Sequence, residues 1–314
     1  MAHPAYEFRS IVVGCDGSDQ QAGAIALAET LRSGDGHLIL ANVFPLLRGF
    51  ALPALAVGYA DELRKGAEAG LEAAAGLVSD GVEVELLAIG STSAAAGLND
   101  IAEAAEADLI VLGSSHRNLL GELTGRKTVQ RLLHGAPCAV ATAPAGFERR
   151  DDRVQRIVAA YDGSPESRYA LRAAYGIADR VGASVLVCGV VEPIGNTKGF
   201  AGIVEADRDA SREEDGRVTL GCAAARAPDG VEVSPRLLWG DPATELLDLA
   251  RAEADLLVAG SRGYGELHRV LAGGVSGALL ARGVVATLVT PRVVVAASAP
   301  VAKRGRPLRA VAPA

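Results

Sequence analysis

RSIVVGCDGS, residues 9–18, recurs as QRIVAAYDGS, residues 155–164. A second stretch behaves the same way: ADLIVLGSS at 107–115 returns as ADLLVAGSR at 254–262. The spacing between copies is 146 residues at Asp16/Asp162 and 147 at Gly113/Gly260 and Pro144/Pro291. One architectural unit is therefore written twice in a chain of 314 residues, which suits domains of roughly 100–200 residues each. The units are assigned to 1–148 and 153–292, joined by the polar run ERRDDR at 148–153. The Ala/Pro-rich stretch 293–314, with four basic residues between Lys303 and Arg309, reads as a disordered tail.

Within each unit, short apolar runs alternate with longer amphipathic ones. Strands are predicted near 10–15, 37–43, 82–88, 108–113 and 138–142, and again near 156–161, 184–190, 231–238, 255–260 and 284–290. Between them the apolar spacing becomes helical, as at Leu63, Ala67, Leu71, Ala74 and Val78. Continuous apolar strands joined by helix-length connections predict an α/β fold: two five-stranded parallel sheets, one per repeat.

Composition narrows the function. Hydrophobic residues make up 49% of the chain and aromatic residues 4%, so Ala, Val, Leu and Ile must fill the cores and little remains to stack on bases. A formal charge of −7 opposes non-specific attraction to a phosphate backbone, which argues against nucleic acid as a partner. Cys15, Cys138, Cys188 and Cys222 show no CxxC spacing and read as reduced thiols, three of them in apolar runs. The opening MAHPAYEFRS lacks the pattern of a secretory signal, and no stretch is apolar enough to span a bilayer; a soluble cytoplasmic protein is the expectation.

The chemistry-bearing residues lie where strands end. Asp16-Gly-Ser18 and Asp162-Gly-Ser164 follow the first strand of each unit. Ser18 with Gln21 reads as a capping box, and Ser164 with Pro165 as a cap followed by Pro at the first helical position. The aspartates have two readings: acceptors for a sugar's hydroxyls, or acceptors for a local turn N–H. In the second unit Gly260 and Gly263 precede Gly273, Gly274 and Ser276 at a helix start. Glycines there allow backbone N–H groups to approach an anion, or simply form turns. His3, His37, His116, His134 and His268 have no metal-site or nucleophile-pair spacing, and there is no Walker GxxxxGK[ST] or GxSxG sequence. No catalytic apparatus is legible, so the expectation is a binding protein rather than an enzyme.

Taken in order, the repeated DGS, the repeated ADLxVxG, the pattern G-x2-G-x9-G-G and a last strand ending in Pro resemble the universal stress protein family in tandem. The resemblance implies Rossmann-like, adenine nucleotide alpha hydrolase-like units with strand order 3-2-1-4-5. It also implies that ATP, with magnesium as an accompanying ion, is bound chiefly by the second unit. Asp162 matches the ribose ligand, Val190 the adenine contact, and Gly260, Gly263, Gly273, Gly274 and Ser276 the phosphate loop. Gly274 stands where the family pattern has Ser or Thr. In the first unit Asp16, Val43 and Gly113 match, while Arg126 and Lys127 replace the later Gly-Ser/Thr pair, which implies a degenerate or altered site. The resemblance further implies a stress-response role and pairing through the last strand. A homodimer of whole chains and an unidentified protein partner are the remaining partner expectations, and a scaffold without nucleotide is the rival reading.

Overall fold

The computed structural model describes residues 7–46, 53–114, 129, 131–133, 135–148, 154–193, 200–261 and 274–291. The first repeat runs β1 (Ser10–Gly14), α1 (Gln20–Leu31), β2 (His37–Pro45), α2 (Pro53–Ala75), β3 (Val84–Ser91), α3 (Ala94–Ala104), β4 (Leu109–Gly113) and β5 (Ala139–Ala143). The second runs β6 (Arg156–Ala160), α4 (Pro165–Val181), β7 (Ser184–Val191), α5 (Phe200–Ala224), β8 (Val233–Trp239), α6 (Pro242–Glu253), β9 (Leu256–Gly260), α7 (Gly274–Arg282) and β10 (Ala286–Thr290). All ten predicted strands are present.

Each repeat orders its strands 3-2-1-4-5, and all pairs within a repeat are parallel. The two five-stranded sheets are joined through their last strands, the pairing that the family resemblance implies. A single ten-stranded sheet forms, because β5 and β10 pair antiparallel, with Thr142 opposite Thr287 and Val140 opposite Val289. Both strands end their own repeat with an open edge, and an unpaired edge carries unsatisfied N–H and C=O groups. Pairing the two edges removes both. The antiparallel junction also reverses direction, so the strand C-terminal edges of the two repeats point to opposite ends of the sheet.

The apolar strand runs follow from burial on both faces. Ile11, Val13, Leu109 and Val111 pack with α1, α2, α4 and α5 on one face. Their neighbours Val12 and Ile110 pack with α3, α6 and α7 on the other. Helix α2 places Ala67, Leu71 and Ala74 in the core, as the helical spacing predicts, while Val78 lies beyond its end and packs at the margin.

Two aspartates from the repeated ADLxVxG segment lock strand starts together. Asp108 Oδ2 accepts the backbone N–H groups of Arg9 (2.8 Å) and Ser10 (2.9 Å). Asp255 Oδ2 does the same for Gln155 and Arg156, both at 2.9 Å. Between the repeats, Arg180 at the end of α4 donates to the Leu31 carbonyl (2.8 Å) and to Ser33 Oγ (3.4 Å) at the end of α1.

Candidate functional site

In doubly wound sheets a ligand crevice opens beyond the strand C-termini where the connections change direction. Here that place lies between β1 and β4 in the first repeat and between β6 and β9 in the second. Asp162 leaves β6, Gly260 ends β9 and Val190 lies near the end of β7, the other neighbour of β6. The topology thus brings these three to one sheet edge. Asp16, Gly113 and Val43 occupy the matching places at the opposite end of the molecule. Gly263, Gly273, Arg126, Lys127, His3, His116, His134 and His268 lie outside the described residues.

The DGS turns are built by a left-handed glycine and an aspartate that folds back on the chain. Gly17 has φ +77° and Gly163 φ +79°, a conformation that side chains with Cβ rarely adopt. Asp16 Oδ1 accepts the Ser18 N–H at 3.0 Å, and Asp162 Oδ1 accepts the Ser164 N–H at 2.9 Å. The local turn bond is therefore real in both repeats. It occupies one carboxylate oxygen and orients the group at an exposed position. Neighbouring atoms push the Asp162 carboxyl up by desolvation, but hydrogen bonds involving Ser164 and Ser167 outweigh this and hold it below its ordinary value. Asp162 is consequently an ionised acceptor at neutral pH, which suits hydroxyl donors.

The helices that follow begin differently. Ser164 Oγ accepts the Ser167 N–H at 3.2 Å, with Pro165 in the first turn, so this cap forms as predicted. Ser18 is a correction. Helix α1 starts after Asp19 with no side-chain cap, and Gln21 Oε1 instead accepts the Gly17 N–H at 3.2 Å. Without a Pro to set the first turn, Gln21 satisfies the turn rather than the helix start.

Gly260 and Gly113 have a packing reason to be glycine. A Cβ on Gly260 would stand 2.6 Å from the Glu166 carbonyl oxygen, and one on Gly113 would stand 2.6 Å from that of Gln20. In each repeat the first helix can approach the fourth strand only over a glycine. Gly274 differs: it opens α7, is exposed, and among the described residues would have nothing within 4 Å of an added Cβ. Ser276, two residues further in, is buried at 4% exposure.

Two residues near the second site escaped the sequence reading. Thr219 of α5 places its methyl 3.3 Å from where a Cβ on Gly163 would be. Arg212, from the same helix, donates to the Glu192 carbonyl at 2.6 Å, just past β7. Their signal was weak: polar residues flanking the face that carries Gly216, Leu220 and Ala223 toward the sheet. In the first repeat nothing among the described residues lies within 4 Å of the corresponding point on Gly17. The neighbouring strand end is also different there, since Asn42 Nδ2 donates to the Cys15 carbonyl at 2.8 Å, while Gly189 stands at the matching place in β7.

Among the described residues no group of three or more His, Cys, Asp or Glu side chains could hold a metal, and no helix is long and apolar enough to cross a membrane. Burial pushes the Cys15 and Cys188 thiols up to about 12 and raises that of Cys138 as well.

Comparison with known proteins fits this geometry. The profile of the universal stress protein family matches residues 7–144 and again 153–291. A universal stress protein of Mycobacterium tuberculosis (strain H37Rv) is 26% identical over 222 residues, covering 68% of this chain and 74% of its own. One from Mycolicibacterium smegmatis is 30% identical over 174 residues, 54% of this chain and 57% of its own. A crystal structure of a universal stress protein from Archaeoglobus fulgidus superposes with a TM-score of 0.60 at 18% identity, covering 91% of this chain and 97% of that one. The fold is likewise similar to that of a functionally unknown protein from Pseudomonas aeruginosa (TM-score 0.57, 19% identity, 91% and 94% covered). With the family profile matched twice along its length, the chain belongs to the universal stress protein family as a tandem member.

Proposed function

We propose that this tandem universal stress protein is a cytoplasmic regulatory protein of the stress response that binds ATP in its second repeat, without using it as an enzyme substrate. The units are taken as 1–148 and 153–292, with 293–314 as a tail. What supports the reading is the placement of an ionised Asp162, Val190 near the end of β7 and Gly260 at the end of β9 along one strand-end edge of the sheet.

Each part has a matching ligand chemistry. The Asp162 carboxylate accepts ribose hydroxyls, and backbone groups near Val190 meet the adenine edge. The N–H groups that open α7 take phosphate oxygens, helped by the helix dipole. Gly274 in place of Ser or Thr gives up one hydroxyl bond, about 0.5–1.5 kcal/mol, and keeps the backbone donor. Magnesium would accompany the phosphates. Nucleotide occupancy would alter a surface offered to a partner protein.

The scaffold reading draws on one observation: Asp16 and Asp162 both serve turns, and Gly113 and Gly260 both serve packing, so these residues have a use without ligand. Thermal unfolding of the full chain with and without ATP-Mg separates the readings. Ligand at 100 times its dissociation constant stabilises the native state by about 2.7 kcal/mol. A rise in Tm lost in Asp162→Ala supports the nucleotide site, and no rise at millimolar ATP leaves the scaffold.

A further inference from the structure

The ten-stranded sheet has two outer strands, β3 and β8, and their free edges are chemically unequal. In a parallel ladder alternate residues turn their N–H and C=O toward the neighbouring strand, and the rest turn outward. Leu38 donates to the Glu83 carbonyl and Leu46 to that of Ser91, so odd-numbered residues of β3 face β2. Val84, Leu86, Ala88 and Gly90 therefore present their backbone groups to the open edge. Across the molecule, Val185 donates to the Glu232 carbonyl and Gly240 to that of Val191, so even-numbered residues of β8 face β7. Pro235 is thus an outward position, and its missing N–H interrupts that edge at its centre.

Natural sheets blunt open edges with Pro, Lys or short strands. β8 carries such a block, whereas the eight residues VELLAIGS of β3 contain no Pro and no Lys. Among the described residues no strand lies beyond β3. Two leucines are exposed on that side of the sheet, Leu86 at 41% and Leu46 at 45%.

We propose that two copies of this chain associate edge to edge through β3, in an antiparallel pair that continues the sheet across a two-fold axis near Ala88. With Ala88 opposite its own copy, Leu86 stands opposite Gly90, and both are outward residues that can exchange hydrogen bonds. Gly90 offers no side chain of its own and is covered by Leu46, 2.8 Å from where its Cβ would be. Leu86 of one copy therefore meets Leu46 of the other, and each covers an exposed leucine. Glu85 falls opposite Ser91, so no like charges face each other. The β5–β10 junction already joins the two repeats by the same antiparallel, pseudo-two-fold pairing of like strands. Because β8 is blocked, each copy has one open edge among the described residues, and the assembly closes as a dimer instead of extending into a filament. This inference is independent of nucleotide binding.

Sedimentation equilibrium of the full chain, from micromolar to submillimolar concentration, tests it. The expected result is twice the chain mass for the parent and for Ser234→Lys on β8, and the single-chain mass for Ala88→Pro and Leu86→Lys. Far-UV circular dichroism reports whether each variant is folded. Should Ala88→Pro fail to fold, Leu86→Lys decides alone, since its side chain already faces solvent. A parent that stays at single-chain mass throughout, or a dimer that persists in folded Leu86→Lys, overturns the proposal.

Discussion

Leu288 lies directly opposite Ala141 in the antiparallel β5–β10 pair, and the two hold the same place in their own repeats, 147 residues apart. A pseudo-two-fold axis therefore passes between them. Arg180 and Ser33, also 147 residues apart, meet close to the same axis on the helical face. The two repeats form within one chain the kind of isologous contact that identical subunits form between chains. The strand C-terminal edges of the two repeats therefore face away from each other.

Removing the guanidinium at that axis loosens the junction. Arg180→Ala loses the bond to the Leu31 carbonyl and the longer one to Ser33, at an exposed position, and should lower stability by about 1 kcal/mol. Urea unfolding reads the loss, and an unchanged midpoint would show that the β5–β10 pairing holds the repeats without help from this contact.

The glycines at the ends of β4 and β9 are required by packing. Gly113→Ala and Gly260→Ala each drive a methyl into backbone of the first helix turn of the same repeat, at Gln20 or Glu166, and should cost about 2 kcal/mol apiece. Gly274→Ala, with open space around it, should leave the urea midpoint nearly unchanged.

The unequal helix starts predict unequal responses to one substitution. Ser164→Ala removes a formed cap and should cost about 1 kcal/mol, while Ser18→Ala should cost a few tenths at most, about 0.3 kcal/mol. Equal losses in the two variants would contradict the difference between α1 and α4.

Asp162 sets an acid limit on stability. Its folded carboxyl lies below the ordinary carboxylate value, so its contribution is complete above that range and is lost as the pH falls through the folded value. In Asp162→Asn the acid limb of the stability-pH curve should be shallower, and the two curves should converge at the lowest pH. A parallel offset at every pH would place the effect elsewhere.

Thiol accessibility divides four cysteines into one and three. Cys222 is exposed on α5, whereas Cys15, Cys138 and Cys188 are buried. A disulfide exchange reagent should modify one thiol rapidly in the native protein and the other three only after unfolding.

Much of the fold was legible because strands buried on both faces are written as continuous apolar runs, and the doubled DGS and ADLxVxG segments fixed the repeat. The strand starts at β3 and β8 were placed about two residues early, since Val82 and Val231 continue the apolar pattern while packing only at the margin. The joining of two sheets into one was not legible in the residues themselves: Ala139–Ala143 and Ala286–Thr290 look the same whether their far edge is open or paired. The Ser18 cap was misread because a short-range match between Ser and Gln ignores which N–H the glutamine reaches. Asp162 and Gly274 were legible as motif positions, while Thr219 and Arg212 were hidden because a helix says little about which polar residue overhangs a distant turn.

The central claim is that one nucleotide binds per chain, at the β6–β9 crevice. Its most direct test is equilibrium dialysis of ATP-Mg against the parent and Gly274→Glu. Glutamate at that exposed, uncrowded helix start suits the helix dipole and should fold normally, yet it places a negative charge where the phosphates would lie. The account predicts one ATP per chain for the parent and at least a tenfold weaker affinity for the variant, about 1.4 kcal/mol. Equal binding by both proteins, or no binding by the parent, would contradict it.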